Sequence, residues 1–182
     1  MRRWEATHRR ILATALDLFE EHGFEKVSVG QIAAAAEVSV PTFYAHFPSR
    51  EHVVMNLPTP EDVGALLAGQ PADVPVGERI HRAAVHMFAT MPPDEFEQMA
   101  LRWRIIARSP VLRVRAAEFE RTTAGMVVQH LPGPDGTPGP VEVVQAGAYL
   151  AAYTAGLLAW ADSDGERKLD ETLAEAFAAL DG

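Results

Sequence analysis

The chain has 182 residues, 48 % hydrophobic and 23 % charged, and its 16 basic and 25 acidic groups give a formal net charge of −9. That much apolar material excludes global disorder and suffices for one domain or two small ones. With no cysteine, a disulfide scaffold, a zinc–thiolate site and cysteine catalysis are excluded. The acidic balance argues against coating nucleic acid by charge alone but leaves room for a local contact surface. The acidity is confined to one part: residues 1–50 hold six basic and six acidic groups, and 51–182 hold ten basic and nineteen acidic ones.

Met1-Arg2-Arg3-Trp4 opens a charged amphipathic stretch rather than the apolar run of a secretory signal, so a cytoplasmic protein is expected. Ile11, Ala15, Leu18, Phe19 and His22 recur at helical spacing and mark one face of a first helix. Gly23 supplies a left-handed stop, onto which Phe24 folds back. Ser28 with Gln31 three residues later reads as a capping box opening a second helix, with Val29, Ile32, Ala33 and Ala36 turned inward. Ser39 offers a second N-cap, and Pro41 is tolerated in the first turn of a short third helix over about Val40 to His46. The close spacing of these helices predicts a helix-turn-helix.

Further on, the pattern predicts a helix from Arg50 to about Leu57, then longer helices near Val76–Met91, Asp94–Arg108 and Val111–Leu131, punctuated by prolines. Pro132 to Pro140 reads as a flexible loop, and Val141–Ala161 and Leu169–Leu180 as the last two helices. Val143 to Ala161 carries no formal charge and approaches the length of a membrane span. Its many Ala and Gly residues and the aspartates that follow favour a buried, closely packed helix, so no membrane is expected. The fold class is all-α, without strand alternation or internal repeats.

In the third helix, Phe43 and Phe47 point into a three-helix core, and Pro41, Thr42 and Ala45 point away, with Tyr44 and His46 on the flanks. Small residues on the outer face permit close approach to a major groove about 12 Å wide, and Tyr, Thr and His can donate to phosphate oxygens. Backbone N–H groups at the helix starts, Val29 and Val40, offer further anion sites. Val40 is also placed to meet a thymine methyl, and Arg50 and an Arg2/Arg3 arm to grip the backbone or minor groove.

Ile11-Leu12, Leu18-Phe19, Gly23-Phe24, Ser28-Val29, Ile32-Ala33, Val38-Ser39 and the run Thr42-Phe43-Tyr44-Ala45-His46-Phe47-Pro48-Ser49-Arg50-Glu51 closely resemble the N-terminal domain of TetR-family transcriptional regulators, without a gap over about residues 9–54. The resemblance implies an N-terminal helix-turn-helix DNA-binding domain, drawn at 1–48, and an all-helical effector-binding and dimerisation domain, drawn at 49–182. It places Thr42, Tyr44 and Arg50 at phosphate contacts, Val40, Pro41 and His46 at or beside bases, and Ser28 at a helix start that touches the backbone, with Val29 and Ser39 beside them. It further implies a repressor of a palindromic operator in double-stranded DNA, released by a small apolar or amphipathic effector. Glu37 departs from the pattern, standing where a glycine usually makes the turn; Gly30 and Arg50 replace a longer polar residue and a lysine.

A single short reading helix offers few contacts, so two copies on half-sites about 34–36 Å apart are expected. The last two helices are the expected homodimer surface, with a small-residue strip of Ala148, Ala152, Ala155 and Ala159 beside an apolar stripe of Leu169, Leu173 and Phe177. Candidate effector-lining residues are His86, Met87, Met91, Met99, Trp103, Met126, Tyr149 and Tyr153, which supply adaptable apolar and aromatic surface but also suit plain core. No HExxH, P-loop or nucleophile-elbow spacing occurs, and His81 and His86 are five apart and share no helical face for a metal. Neither an enzyme nor a cofactor is therefore expected. The alternative to a DNA-binding regulator is a helical dimeric adaptor or small-molecule-binding protein that does not bind DNA.

Overall fold

The computed structural model describes residues 2–55, 58–71, 73–131 and 137–180, with the side chain of Arg2 left aside. Ten α-helices follow one another: α1 (Arg2–His22), α2 (Val29–Ala35), α3 (Val40–His46), α4 (Glu51–Val54), α5 (Pro60–Ala68), α6 (Val76–Thr90), α7 (Pro93–Arg108), α8 (Pro110–Gln129), α9 (Pro140–Ala161) and α10 (Leu169–Ala178). Among the described residues there is no strand. Most of the expected loop at 132–140, and Leu57 at the end of the expected fourth helix, lie outside the described residues.

Local chemistry sets the first boundaries. The chain leaves α1 through Gly23 at φ 85°, a conformation that costs a residue without a side chain little. Phe24 then turns back and is buried against Phe19, 4.9 Å between rings. Ser28 and Gln31 close the capping box that starts α2: the Ser28 hydroxyl accepts from the Gln31 N–H, and the Gln31 amide oxygen accepts from the Ser28 N–H at 2.8 Å. Ser39 caps α3 by accepting from the Thr42 N–H at 3.1 Å. Between them Glu37 adopts φ 53°, the left-handed turn that the departure from glycine requires.

Two expectations about this region are corrected. Arg2 and Arg3 belong to the first turn of α1 and form no loose arm, because the helix extends to the start of the described chain. The predicted helix from Arg50 to Leu57 is only four residues long, and Met55 is already extended.

The core of α1–α3 runs on into the rest of the molecule. Ile11, Phe19, Ile32 and Phe43 are continuous with Val53 and Val54 of α4, Ile105 and Ile106 of α7, and Leu112 and Ala116 of α8. Polar contacts reinforce that seam: Arg104 bonds Glu20 at 3.2 Å, and the Ser109 hydroxyl, which also caps α8, donates to Glu25. A second cluster joins α5, α6, α8 and α9 around Val63, Leu67, Ile80 and Leu150. A third joins α9 and α10 around Leu157, Leu169, Leu173 and Phe177.

Helix α9 packs on α6, α7, α8 and α10. Its length and mean hydropathy of 1.2 alone would allow a membrane span. It is not buried all round, contrary to expectation: Val141 and Val144 are 62 % and 68 % exposed, and Ala151 and Ala155 are exposed on the same side. At Gly156 the α10 backbone comes so close that a Cβ would lie 3.1 Å from Leu173 Cα and from the Thr172 carbonyl oxygen.

Candidate nucleic-acid interface

The helix-turn-helix presents α3 with one buried and one open side. Phe43 is fully buried and Phe47 nearly so, their rings 5.9 Å apart. On the open side Val40 is 41 % and Tyr44 52 % exposed, and Pro41 and Ala45 are exposed with them. Tyr44 is held by the edge of Phe43 at 5.5 Å, which fixes the ring while leaving the phenol in solvent. Alanine at 45 and proline at 41 keep this face low, so it can approach a groove floor.

The cap residues contribute polar groups at the same edge. The Ser39 and Thr42 hydroxyls lie 2.7 Å apart, so one hydroxyl hydrogen bridges the pair and the other stays free for an outside acceptor. Ser28 is exposed at the start of α2, its hydroxyl donating to the Gln31 side chain at 2.9 Å. Val29 is half-buried and contributes through its backbone N–H, the first of α2.

Arg50 stands apart. Its Nη1 donates to the carbonyls of Phe24, at 3.1 Å, and Val27, and the guanidinium lies 4.6 Å over the Phe24 ring. Arg50, expected at a phosphate contact, is half-buried and turns Nη1 inward as a tether. The backbone between α1 and α2 leaves carbonyls that need a donor, and the planar fork reaches two of them while stacking on an aromatic face.

His46 ends α3 half-buried, its ring 4.5 Å from Trp4 and 5.6 Å from His8 of α1. His8 in turn stacks on Phe47 at 4.3 Å. Trp4 and His8 were not singled out by sequence, although an aromatic pair four apart in a charged stretch was the available signal. Burial, then His46, then Arg102 hold the His8 imidazole below its ordinary proton affinity. Arg102 on α7 is itself lowered by burial.

The eight candidate effector residues do not form one site. Met99, Trp103, Tyr149 and Tyr153 converge in the third cluster, with Phe88 parallel to Tyr153 at 6.0 Å. Met126 packs with both tyrosines in the second cluster. Burial pushes the Tyr153 phenol up, keeping it protonated. Met87 and Met91 are half-buried outside these clusters, and His86 is exposed on α6, apart from them. An open groove of about 520 Å³ lies elsewhere, between α1 and α7, floored by Leu16, Phe96 and Ala100.

The expected dimer stripe is likewise redistributed. Leu169, Leu173, Phe177 and Ala152 are buried against their own subunit. Two apolar helices joined by a short turn satisfy each other first, and what remains outside is the opposite face of α9.

Comparison with known proteins agrees with this geometry. The sequence profile of bacterial regulatory proteins of the tetR family matches residues 11–55, and that of the MftR C-terminal domain matches 74–182. The HTH-type transcriptional regulator EthR of Mycolicibacterium smegmatis is 48 % identical over 50 residues, 28 % of this chain and 23 % of that protein. EthR of Mycobacterium tuberculosis H37Rv is 47 % identical over 47 residues, 26 % and 22 % of the two chains. The chain thus matches less than a quarter of the length of these curated relatives. In fold it is similar to NalD of Pseudomonas aeruginosa, described as the secondary repressor of the MexAB-OprM multidrug efflux pump, with a TM-score of 0.62 and 21 % identity over 99 % of this chain and 96 % of that one. With a helix-turn-helix whose open face bears Val40 and Tyr44, and with one profile spanning its head and another most of its body, the chain belongs to the TetR family of bacterial regulatory proteins.

Proposed function

We propose that this protein is a transcriptional repressor that binds a two-fold operator in cytoplasmic duplex DNA as a homodimer and leaves it when a small apolar or amphipathic effector binds. The observation that carries the reading is the open side of α3, where an exposed phenol, a spare hydroxyl at Ser39/Thr42 and an apolar Val40 share one low surface. Thr42 and Tyr44 donate to phosphates, Val40 and Pro41 meet bases, Ser28 and Ser39 lie beside the backbone, and Val29 at the start of α2 adds a backbone donor. Residues 1–48 form the DNA-binding domain and 49–182 the effector and dimer domain.

The second copy docks on the exposed face of α9. Val141, Val144, Ala151 and Ala155 leave apolar surface uncovered, and their small side chains permit close helix approach. Effector contacts are assigned to Met99, Trp103, Tyr149 and Tyr153, with Met126 at their margin; an effector that loosens this aromatic cluster shifts the two heads only by binding one spacing better.

A gel-shift titration with DNA from upstream of its own gene tests the reading. A footprint with two-fold symmetry and a steep loss of affinity with salt is expected. Tyr44→Phe weakens binding across sequences, and Val40→Ala changes the preference among them. Ala155→Glu yields a monomer by sedimentation and abolishes operator binding. A wild-type chain that ignores every duplex at low salt refutes the proposal.

A further inference from the structure

Trp4 and His8 lie one turn apart on α1 and stack at 5.1 Å with 17° between their planes. Both pack against His46 at the end of α3, and the indole is 53 % exposed. In each imidazole Nδ1 is buried without a hydrogen-bond partner. With Nδ1 withdrawn from solvent in both rings, an outside partner can meet either imidazole only through Nε2. Neither Nε2 is among the buried polar atoms of the described residues that lack a partner.

The consequence is a patch of ring nitrogens at the end of α3. The indole Nε1–H of Trp4 can only donate, and each imidazole can donate through Nε2. Such a surface matches a partner that offers acceptors alone. Phosphate oxygens of a duplex do this, whereas a protein surface presents donors and acceptors mixed. The half-open indole face adds apolar surface that a deoxyribose edge covers.

The geometry points to Trp4 and His8 as a second duplex contact: together with His46 they extend the DNA-binding surface from α3 onto the first two turns of α1 and donate to phosphates flanking the groove that α3 enters. The inference rests on the DNA-binding reading above. The indole N–H is uncharged and the His8 imidazole is held below its ordinary proton affinity, so both add affinity without displacing condensed cations, which separates them from arginine contacts.

The test titrates a labelled duplex of about 30 base pairs, from upstream of the protein's own gene, against wild type, Trp4→Phe and His8→Phe over a range of salt. Phenylalanine keeps an aromatic ring at each position and removes the N–H donor. Each variant is expected to bind about tenfold more weakly, with an unchanged salt slope and unchanged melting temperature. In a Trp103→Phe/Trp160→Phe background Trp4 is the one remaining tryptophan, and saturating duplex is expected to shield it from acrylamide. Unchanged affinity in both ring-preserving variants, or a Trp4 as open to quencher in the complex as alone, overturns the inference while Tyr44→Phe still reports on the DNA-binding reading. A wild type that binds no duplex overturns both.

Discussion

Replacing Gly156 by alanine tests the close backbone approach of α9 and α10. Alanine is favoured over glycine inside a helix by about 1 kcal/mol, so with nothing nearby the change stabilises. Here the new Cβ would lie 2.9 Å from Leu173 Cδ2 and 3.1 Å from both Leu173 Cα and the Thr172 carbonyl oxygen. The leucine methyl can rotate away, but the two backbone atoms cannot. Ordinary carbon contacts begin near 3.5 Å, so α9 and α10 must part by roughly 0.5 Å along a seam that buries Leu157, Leu169, Leu173 and Phe177. Overpacking of this kind costs about 1–3 kcal/mol, leaving a net destabilisation of about 1 kcal/mol after the propensity gain. For a chain of this size that lowers the melting temperature by about 2–4 °C. Gly125 of α8 provides the control: its Cβ would meet nothing within 4 Å, so Gly125→Ala should raise the melting temperature by a similar amount. Both variants are melted by calorimetry at one protein concentration, because association shifts apparent stability. If Gly156→Ala stabilises as Gly125→Ala does, the close approach of α9 and α10 is refuted.

Phe43→Ala removes a fully buried ring from the head and should cost about 3–5 kcal/mol, with loss of duplex binding in the same gel-shift titration. Glu37→Gly relieves a left-handed backbone worth about 1–2 kcal/mol but loosens the unfolded chain by about 0.5–1 kcal/mol. It should raise the melting temperature slightly and, by removing a carboxylate from the turn, tighten duplex binding most at low salt. For pH, burial and the neighbouring His46 and Arg102 depress the His8 affinity for protons. The unfolded chain therefore protonates first as pH falls through the ordinary histidine value of 6.5, and stability drops from there down to the folded value. Melting between pH 7.5 and 5.5 should show a smaller acid loss in His8→Phe than in wild type; equal losses would exclude His8 as a source.

The head was legible because its signals are local. Gly23, the Ser28–Gln31 box, the Ser39 cap and the Phe43/Phe47 pair each act within four residues, and each sits where its chemistry requires. What escaped was decided at a distance. Arg50 bonds carbonyls 23 and 26 residues away, so no window of sequence shows that its guanidinium faces inward. Leu169, Leu173 and Phe177 display the same stripe whether their partner is α9 of the same chain or a second copy, and only tertiary packing chooses between them. Trp4 and His8 gain meaning from His46, nearly forty residues on, which explains why a charged first turn concealed an aromatic cluster. In the body, a methionine or tyrosine at helical period looks alike in core and in ligand wall, and five of the eight candidates fall in two clusters while three lie outside them for that reason.

The hydroxyl of Ser109 serves two elements at once. It accepts from the Leu112 N–H at 3.2 Å to begin α8 and donates to Glu25 in the 3₁₀ turn Phe24–Lys26 before α2, while Arg113 one turn later grips Asp162 at the end of α9. These links run from the end of α9 through the start of α8 to the turn between α1 and α2. A tilt of α9 that keeps them carries that turn with it.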